Sequence, residues 1–466
     1  METRLTLWPT HLIEKPFWNE YVETLPREAL DRLHLKRLRS LLRYVYDNSR
    51  FYRVTWEKIG FHPDDVKTLE DFRTKVPITD KKDFLHFQEE YPPYGLTGAL
   101  GEDFVAHHAQ TSGTTGVPFR IPFTLYDTER YGESWIYGWW ALGIRPTDTF
   151  YFAFNWGPYA GFWSAYWGAR RLGVKVMSGG GSDTEGHVKA IVRDRPTVLI
   201  ATPSYALRIA EQAREMGIDL SESSIRFTYH AGEPGPCALQ ALRERLDREY
   251  GAISGDLLGV AELDAMAPGC PHRHGVHMNE MNTYSWTRDP ASGNAAAEGE
   301  IGENVVTTFV NSAQPLVNYD THDLVQAYQQ QIPCGCGRTW RYLDGAVLGR
   351  SDHMITVRGT NVYPSAVENL LMKVPGVSSY FQLVLSWDAG SGMDQMAVRL
   401  EPTSDARHDE WDSIARRVQT MIKDNVGVRM EAEVVEPGTL PRTDLKMKRI
   451  VDLRPAEVRR ALDRQA

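Results

Sequence analysis

The sequence predicts an α/β protein with a large N-terminal domain of mixed sheets and helices and a small α+β C-terminal domain. Between residues 101 and 350, short apolar runs alternate with helical segments, which is typical of strands joined by crossover helices. The last part of the chain holds two strand-like runs and one long helical run, enough for a small domain. A length of 466 residues also exceeds one ordinary domain.

Each predicted element follows from a local pattern. In the N-terminal region, leucines recur at helical spacing after Pro26, at positions 30, 33, 35, 38, 41 and 42. Buried strands are then predicted for TFYFAFNW, VKVMSG, TVLIATP and IRFTYHAG, and helices for EGHVKAIVRD, YALRIAEQAREMG and LQALRERLDREYG. From about Glu298 the pattern becomes that of an antiparallel segment. The C-terminal domain takes its strands from QLVLSW and MAVRLEP and its helix from HDEWDSIARRVQTMIKDNVG.

Composition restricts the class of protein. Hydrophobic residues make up 42% and charged residues 24%, as in globular proteins rather than disordered ones. The net charge of −9 argues against general affinity for nucleic acid or anionic membranes. No apolar run is long enough to span a bilayer, and the N-terminus lacks the pattern of a secretory signal, so a cytoplasmic enzyme is expected. Four cysteines in so long a chain argue against a disulfide scaffold.

The segment AQTSGTTGVPFRIPFT, Ala109 to Thr124, contains a run of hydroxylated residues and glycines. Gly113 and Gly116 permit backbone angles that can aim successive N–H groups at one anion, and Ser112, Thr114 and Thr115 add hydroxyl donors. A Walker A loop is excluded because no lysine follows the second glycine. The residues alone leave two readings open, a polyphosphate-binding loop and a polar surface loop.

Several motifs in order resemble the acyl-adenylate-forming (ANL) superfamily, in particular its phenylacetate–CoA ligase branch. The resemblance covers almost the whole chain, through TSGTTGVP, HAGEPGP, DLLGVAE, NYDTHDLV, LGRSDHMITVRGTNVYPSAVE and LPRTDLKMKR. It implies ATP-dependent activation of an aryl carboxylic acid to acyl-AMP, followed by thioester formation with coenzyme A. ATP, Mg²⁺ and coenzyme A are the cofactors implied, no nucleic acid or membrane partner is expected, and a homodimer stays open.

Two residues take catalytic roles by this resemblance. Lys446 would neutralise the α-phosphate and the substrate carboxylate as they meet, and Glu262 would be a hard oxygen ligand for Mg²⁺. The chain departs from the family pattern at three positions, each directly before an assigned motif residue. There, Ala261 replaces a serine or threonine, and His322 and Leu445 replace glycines. These departures support one alternative, a catalytically inert nucleotide-binding homologue. A separate alternative is the same adenylation followed by transfer to a carrier protein or an amine. His322 has two readings, an influence on the pH response of the site or a side chain directed to solvent.

The resemblance also assigns residues to the binding of the nucleotide, to the binding of coenzyme A and to a hinge between the domains. The nucleotide would be bound by the loop residues Ser112, Gly113, Thr114, Thr115 and Gly116 and by Ala231, Gly232, Glu233, Pro234, Asp256, Asp323 and Arg350. Arg358 and Gly359 would face coenzyme A. Asp352 would be the hinge between residues 1–351, which bind ATP and the aryl acid, and a mobile domain of residues 352–466 that carries the catalytic lysine.

Aromatic residues predict the acyl pocket. By correspondence, Phe154 and Tyr159 would form one wall, and Tyr229, His230 and Ala231 the other. Core packing is the alternative for most of this aromatic cluster. His230 and the tyrosine hydroxyl favour a hydroxy- or amino-substituted benzoate within the aryl acids.

Three cysteines and one histidine form a candidate structural zinc site. Cys270, Cys334 and Cys336 supply the thiolates of a Cys₃His set, in which His272, His274 or His277 could be the fourth ligand. The resemblance favours His277, since some members of that branch carry zinc at this place. The alternative is a group of reduced buried thiols, and Cys237 is expected to be a packed thiol.

Overall fold

The computed structural model describes residues 14–95, 97–111, 118–353, 355–357, 360–388, 393–403, 406–441 and 449–455. The chain forms two compact units, Met1–Val347 and Leu348–Ala466. Each helix in the described part of the chain is too short or too polar to cross a membrane. Short 3₁₀-helices occur at Pro63–Asp65, Glu102–Phe104, Leu220–Glu222, Ser351–His353 and His408–Glu410.

The first unit begins with a group of helices. These are α1 (Glu20–Glu23), α2 (Arg27–Asn48), α3 (Arg50–Lys58), α4 (Leu69–Lys75) and α5 (Lys81–Glu90). The leucine spacing correctly predicted α2, which buries Leu30, Leu38 and Leu42. At the start of α5, Asp80 accepts hydrogen bonds from the amides of Lys82 and Asp83, so the helix begins with a strong N-cap.

A β-hairpin and a long helix follow. Strand β1 (His107–Gln110) pairs with the antiparallel strand β2 (Arg120–Phe123), and α6 (Leu125–Leu142) comes next. Thr124 caps α6, and Gly143, at φ 103°, ends it in the left-handed conformation. Most of α6 is buried, so it is a central helix of the unit.

A six-stranded sheet has the order β4-β3-β5-β6-β7-β8, and all adjacent pairs are parallel except β7 with β8. Its elements along the chain are β3 (Thr149–Phe152), α7 (Ala160–Leu172), β4 (Lys175–Ser178), α8 (Thr184–Asp194), β5 (Val198–Ala201), α9 (Pro203–Glu215), β6 (Phe227–His230), α10 (Gln240–Tyr250), β7 (Ile253–Val260) and β8 (Asp264–Pro268). This confirms the predicted alternation of strands and crossover helices. The carboxyl ends of the parallel strands share one edge, where open α/β sheets bind ligands.

A five-stranded sheet has the order β10-β11-β12-β13-β9. The strands are β9 (Gly275–His277), β10 (Thr283–Arg288), β11 (Ile301–Thr308), β12 (Tyr319–Tyr328) and β13 (Tyr342–Arg350). The antiparallel pairing of β10, β11 and β12 confirms the change of pattern predicted near Glu298. Thr79, just before α5, forms a parallel bridge with Tyr319 and so joins the helical region to β12.

The second unit is a small α+β domain. Strands β14 (Ile355–Val357) and β15 (Thr360–Val362) form a hairpin, and α11 (Pro364–Leu371) follows it. A four-stranded sheet has the order β18-β17-β16-β19, from the elements β16 (Val377–Asp388), β17 (Met393–Pro402), α12 (Trp411–Val426), β18 (Glu431–Val434) and β19 (Ile450–Asp452). Helix α12 confirms the helix predicted in this domain, and it buries Ile414, Val418 and Ile422.

Candidate active site

Loops at the carboxyl edge of the six-stranded sheet bring several predicted site residues together. Phe154 and Tyr159 follow β3, the Ala231–Pro234 segment follows β6, and Glu262 follows β7. These strands are parallel, so their carboxyl ends meet at one edge. The sheet therefore collects residues that are far apart in the sequence.

The glycine- and hydroxyl-rich loop connects the two strands of the β1–β2 hairpin. Ser112, Gly113, Thr114, Thr115 and Gly116 lie outside the described residues. At its base, the Thr111 amide donates to the Phe119 carbonyl and the Phe119 amide donates to Thr111 Oγ1, both at 3.0 Å. The Gln110 amide also donates to the Pro158 carbonyl at 2.7 Å, which attaches the base of the loop to the β3–α7 loop.

Glu262 is buried and forms an ion pair with a lysine that the sequence reasoning missed. Its Oε1 lies 2.7 Å from Nζ of Lys81, the first residue of α5. The capping pattern Thr-Asp-Lys-Lys-Asp places Lys81 in a first helical turn, but no local signal indicates its distant partner. An ionised carboxylate held in this way is a suitable oxygen ligand for Mg²⁺.

The loop after β6 is held by Glu233. Its carboxylate accepts two hydrogen bonds from Ser204, one from the amide at 3.0 Å and one from the hydroxyl at 2.9 Å. Gly232 has φ 89°, a left-handed conformation that glycine adopts without strain. The Glu233 side chain is therefore engaged with the start of α9.

Asp256 supports this loop from within the sheet. It is buried in β7, and its Oδ2 accepts a hydrogen bond from the Cys237 amide at 3.2 Å. A Cβ atom on Gly235 would lie 2.1 Å from the same oxygen, so only glycine fits there. Burial raises the pKa of Asp256 to about 6. Asp256 therefore lies beneath the loop, where it contacts the loop backbone through the Cys237 amide.

Asp323 lies in β12 beside a group of charged residues. Asp323 itself is buried, and its amide donates to Thr321 Oγ1 at 3.2 Å. The preceding residue, His322, has φ 59°, the left-handed conformation that explains why the resembled motif has glycine there. The His322 ring lies among carboxylates rather than pointing only to solvent.

The aromatic residues predicted for the acyl pocket fall into two groups. Phe154 stacks on Phe162 with ring centroids 4.1 Å apart and planes 16° apart. Tyr159, half-buried at the start of α7, makes an edge contact with Phe162 at 6.1 Å. These residues form an aromatic cluster in and after the β3–α7 loop, which is attached to the base of the glycine- and hydroxyl-rich loop.

Tyr229 and His230 are in the core, contrary to the expectation for a substrate wall. Successive strand residues point to opposite faces of a sheet, so each side chain enters a different layer. Tyr229 packs against Trp135 and Trp139 of α6. His230 is fully buried, and its two ring nitrogens contact the Ala201 carbonyl at 3.0 Å and Thr228 Oγ1 at 2.9 Å. Ala231 remains half-buried at the edge of the sheet.

The second unit contains the other predicted residues. Arg350 donates to both carboxylate oxygens of Asp352, at 2.9 and 2.8 Å. Arg358, Gly359 and Lys446 lie outside the described residues.

Cys270, His277, Cys334 and Cys336 form a group whose ligand atoms all lie within 4.8 Å of one another. Cys270 Sγ lies 2.8 Å from Cys334 Sγ, and Cys336 Sγ lies 3.3 Å from His277 Nε2. His277 Nδ1 is 3.0 Å from the Trp340 carbonyl, which selects the tautomer that leaves the Nε2 lone pair for a metal.

The thiol electrostatics also suit a cation. Hydrogen bonds from Cys270 and Cys334 hold the pKa of the Cys336 thiol well below its usual range. Three sulfur atoms and one imidazole nitrogen are the donor set of a closed tetrahedral zinc site. Cys237 is separate from this group and buried beside Asp256.

Comparison with known proteins identifies the family. A phenylacetate–coenzyme A ligase of Thermus thermophilus is 33% identical over 454 residues, which cover 93% of this chain and 98% of the relative. The chain belongs to the phenylacetate–coenzyme A ligase family. Another member of this family, from Escherichia coli, is 31% identical over 442 residues, covering 93% of this chain and 97% of the relative.

Two further similarities agree with this family membership. A family model described as the AMP-binding enzyme C-terminal domain matches residues 359–454. The crystal structure of a 2-hydroxyisobutyryl-CoA ligase in complex with 2-HIB-AMP superposes with a TM-score of 0.88 at 29% identity, covering 100% of this chain and 97% of that one. The predicted fold class, the resemblance to adenylate-forming enzymes and the class of AMP-forming acid–thiol ligase are confirmed at the level of the phenylacetate–coenzyme A ligase family.

Proposed function

We propose that the protein activates an aryl carboxylic acid with ATP and then transfers the acyl group to coenzyme A. The observation that carries the proposal is the ion pair between the buried Glu262 and the half-buried Lys81, at the sheet edge from which the loop after β6 also extends. A carboxylate there can hold Mg²⁺, and an ammonium can meet phosphate oxygens.

In the first half-reaction, an oxygen of the substrate carboxylate attacks the α-phosphorus of ATP, and pyrophosphate leaves. Lys446 neutralises the charge that builds up between the two anions. Asp323 accepts hydrogen bonds from the ribose hydroxyls, and residues 112–116 bind the phosphates. Bound Mg²⁺ would shield the phosphate oxygens, with Glu262 as its protein ligand.

In the second half-reaction, the sulfur of the thiol attacks the acyl carbon, and AMP leaves with the bonding electron pair. Arg358 and Gly359 face coenzyme A in this proposal, and Asp352 is the hinge that separates the two steps. The bidentate Arg350–Asp352 pair gives this hinge a defined local conformation.

An aromatic acid is supported by two observations. Phe154, Phe162 and Tyr159 form an aromatic cluster that suits a flat ring. Several relatives are also named phenylacetate–coenzyme A ligases. His230 is buried in the core and cannot contact a ring substituent. Recognition of a hydroxy or amino substituent would therefore rely on the hydroxyl of Tyr159.

A second candidate is a small branched hydroxy acid. It is favoured by the TM-score of 0.88 against the 2-hydroxyisobutyryl-CoA ligase. In that case the aromatic side chains would occupy part of the acyl pocket and leave room only for a small acid.

ATP–pyrophosphate exchange with a panel of acids tests the proposal. We expect phenylacetate, benzoate or a substituted benzoate to support exchange at least about tenfold faster than 2-hydroxyisobutyrate, since a misfitted pocket costs about 1–3 kcal/mol. Faster exchange with 2-hydroxyisobutyrate would establish the second candidate. ATP binding without exchange for any acid would indicate an inert homologue.

The acyl acceptor is tested separately, after the acid is known. Coenzyme A is expected to accelerate AMP release, whereas a phosphopantetheinyl carrier protein or an amine should leave it unchanged. Acceleration by the carrier or the amine alone would favour the corresponding transfer.

We also propose that Cys270, His277, Cys334 and Cys336 hold a structural Zn²⁺. The grouping of their ligand atoms and the second contact of His277 with the Trp340 carbonyl support a closed site. The ion would stabilise the fold and would take no part in the acyl transfer.

A further inference from the structure

His322 lies between carboxylates from three separate elements. Its Nε2 is 3.6 Å from Asp80 Oδ2, before α5, while its Nδ1 is 3.8 Å from Glu303 Oε1 on β11 and 3.7 Å from Asp320 Oδ1 on β12. The side chain is 25% exposed, so solvent screens these contacts only in part. An imidazolium at this point can attract all three carboxylates.

The backbone at His322 is fixed in the orientation that these contacts need. Its φ of 59° is uncommon for a residue with a side chain, although histidine tolerates it better than most. The His322 amide donates to Asp320 Oδ1 at 2.8 Å, within β12 and opposite the irregularity in its pairing with β11. A left-handed non-glycine residue near a ligand site is a reason to look for a function.

Arg288 neutralises part of this acidic group from the opposite side. Its Nη2 lies 2.5 Å from Glu303 Oε2 and 2.9 Å from Asp320 Oδ2. The guanidinium therefore meets one oxygen of each carboxylate, and the His322 ring faces the other. Since Arg288 already neutralises Glu303 and Asp320, a metal ion bound by these carboxylates is disfavoured. Asp80 pairs with the His322 imidazole instead.

Asp80 connects His322 to the nucleotide side of the molecule. The His322 ring lowers the pKa of the Asp80 carboxyl, against the opposing effect of burial. The neighbouring Thr79 exchanges backbone hydrogen bonds with β12, since its amide donates to the Asn318 carbonyl at 3.1 Å and its carbonyl accepts from the Asp320 amide at 2.8 Å. Lys81, which directly follows Asp80 in the sequence, forms the 2.7 Å ion pair between its Nζ and Glu262 Oε1.

We propose that His322 is a positioning residue which, in its protonated form, holds the Thr79–Lys81 segment against β12 and thereby places the Lys81 ammonium for MgATP. The proposal rests on the proposed function, because it assigns Lys81 and Glu262 to nucleotide binding. The ring contacts no substrate atom itself and acts through Asp80.

The consequence is a specific pH dependence. As pH rises through the titration of the imidazole, the ring loses its charge and its attraction for Asp80, Glu303 and Asp320. The contribution of His322 to MgATP binding is therefore present at low pH and lost at high pH. Asp80, whose pKa the His322 ring lowers, keeps its charge over the range in which histidine ordinarily titrates, whereas burial raises the pKa of Asp320.

The test measures the Kd of MgATP by calorimetry for the wild-type protein and for His322→Asn between pH 6 and 9.5. Asparagine also tolerates the left-handed conformation, so the backbone is preserved. We expect the variant to bind about two- to fivefold more weakly at pH 6, as for a partly exposed ion pair, and equally at pH 9.5. Equal binding at every pH, or a difference that does not change with pH, would overturn the proposal.

Two further variants complete the design. Asp80→Asn keeps a good N-cap and removes the charge, so it should reproduce the effect of His322→Asn, and the double variant should show no additional loss. His86→Asn is the matched control, because His86 is an exposed histidine of α5 that lies 4.0 Å from Glu90. An additive double variant would exclude action through Asp80.

Calorimetry without turnover separates this proposal from the proposed function. If MgATP binds but no acid supports exchange, the ligase proposal fails while the His322 measurement still decides the role of the ring. If the wild-type protein does not bind MgATP, both proposals are wrong.

Discussion

Glu262 is buried, and the lysine that pairs with it, Lys81, is half-buried. An isolated buried carboxylate is costly, and the ammonium 2.7 Å away offsets that cost. A divalent cation can take over the same neutralising role, because it prefers carboxylate oxygen. Lys81 would then be free to contact the phosphates of ATP. In this interpretation, Lys81 neutralises Glu262 before MgATP binds, and Mg²⁺ neutralises it afterwards.

Glu262→Gln tests this interpretation at the residue scale. Glutamine keeps the size of the side chain but loses its charge, so we expect ATP–pyrophosphate exchange to fall by about 100-fold or more. Glu244→Gln, at an exposed position of α10, is the control and should leave exchange unchanged. An equal rate in both variants would remove Glu262 from the mechanism.

Some residue assignments follow from the sequence and others do not. Glu262 could be assigned from its motif, and that role stays a prediction. Its contact with Lys81 could not be predicted, because the two residues lie in different parts of the chain. Strand alternation explains the misplacement of Tyr229 and His230, since a motif gives the position of a residue but not the face of the sheet it enters. The carboxylates around His322 come from three elements, so no local pattern could predict them.

At the scale of elements, periodicity was a good guide. The strands β3 to β6 and the helices α8 and α9 appear where apolar runs and helical spacing indicated. The strands β3, β5 and β6 are largely buried, and parallel strands buried on both faces are nearly continuous in hydrophobicity. The pairing order β4-β3-β5-β6-β7-β8 is a tertiary property and was not predicted. The bridge between Thr79 and β12 was also missed, because one paired residue leaves no periodic signal.

The cysteine cluster joins β9 to the segment before β13, and its metal content can be measured. We expect about one zinc ion per chain by elemental analysis, and its loss in Cys336→Ser together with a melting temperature lower by roughly 5 °C or more. The reason is that Cys336 supplies the thiol with the lowered pKa and contacts the proposed histidine ligand.

Cys237→Ala provides the control for this measurement. Cys237 is buried outside the cluster, so the variant should keep its zinc whatever its stability. Wild-type protein that contains no zinc after growth in zinc-supplemented medium would show that the cluster consists of reduced thiols.

At the scale of the whole molecule, the chain consists of two units with separate cores. Adenylation residues are proposed on the first unit and at Lys446, and the thiol-facing residues Arg358 and Gly359 belong to the second. Such a division allows the two half-reactions to be separated by substitution.

Lys446→Ala is expected to slow ATP–pyrophosphate exchange by about 100- to 1000-fold, because a charge that stabilises the adenylation transition state is removed. Thioester formation from chemically prepared acyl-AMP should stay within about twofold of the wild-type rate. Circular dichroism and melting temperature control for folding. Equal loss in both half-reactions would contradict a role confined to adenylation.

The residues directly after Cys336 attach helix α1 to the rest of the first unit. Arg338 forms a buried ion pair with Glu23 at 2.6 Å, and Trp340 Nε1 donates to the Val22 carbonyl at 2.9 Å. Helix α1 therefore depends on the same short segment that carries two of the four proposed zinc ligands. If the cluster holds zinc as proposed, a chelator in a purification buffer would loosen the attachment of α1, and the first visible sign would be proteolytic clipping near the amino terminus.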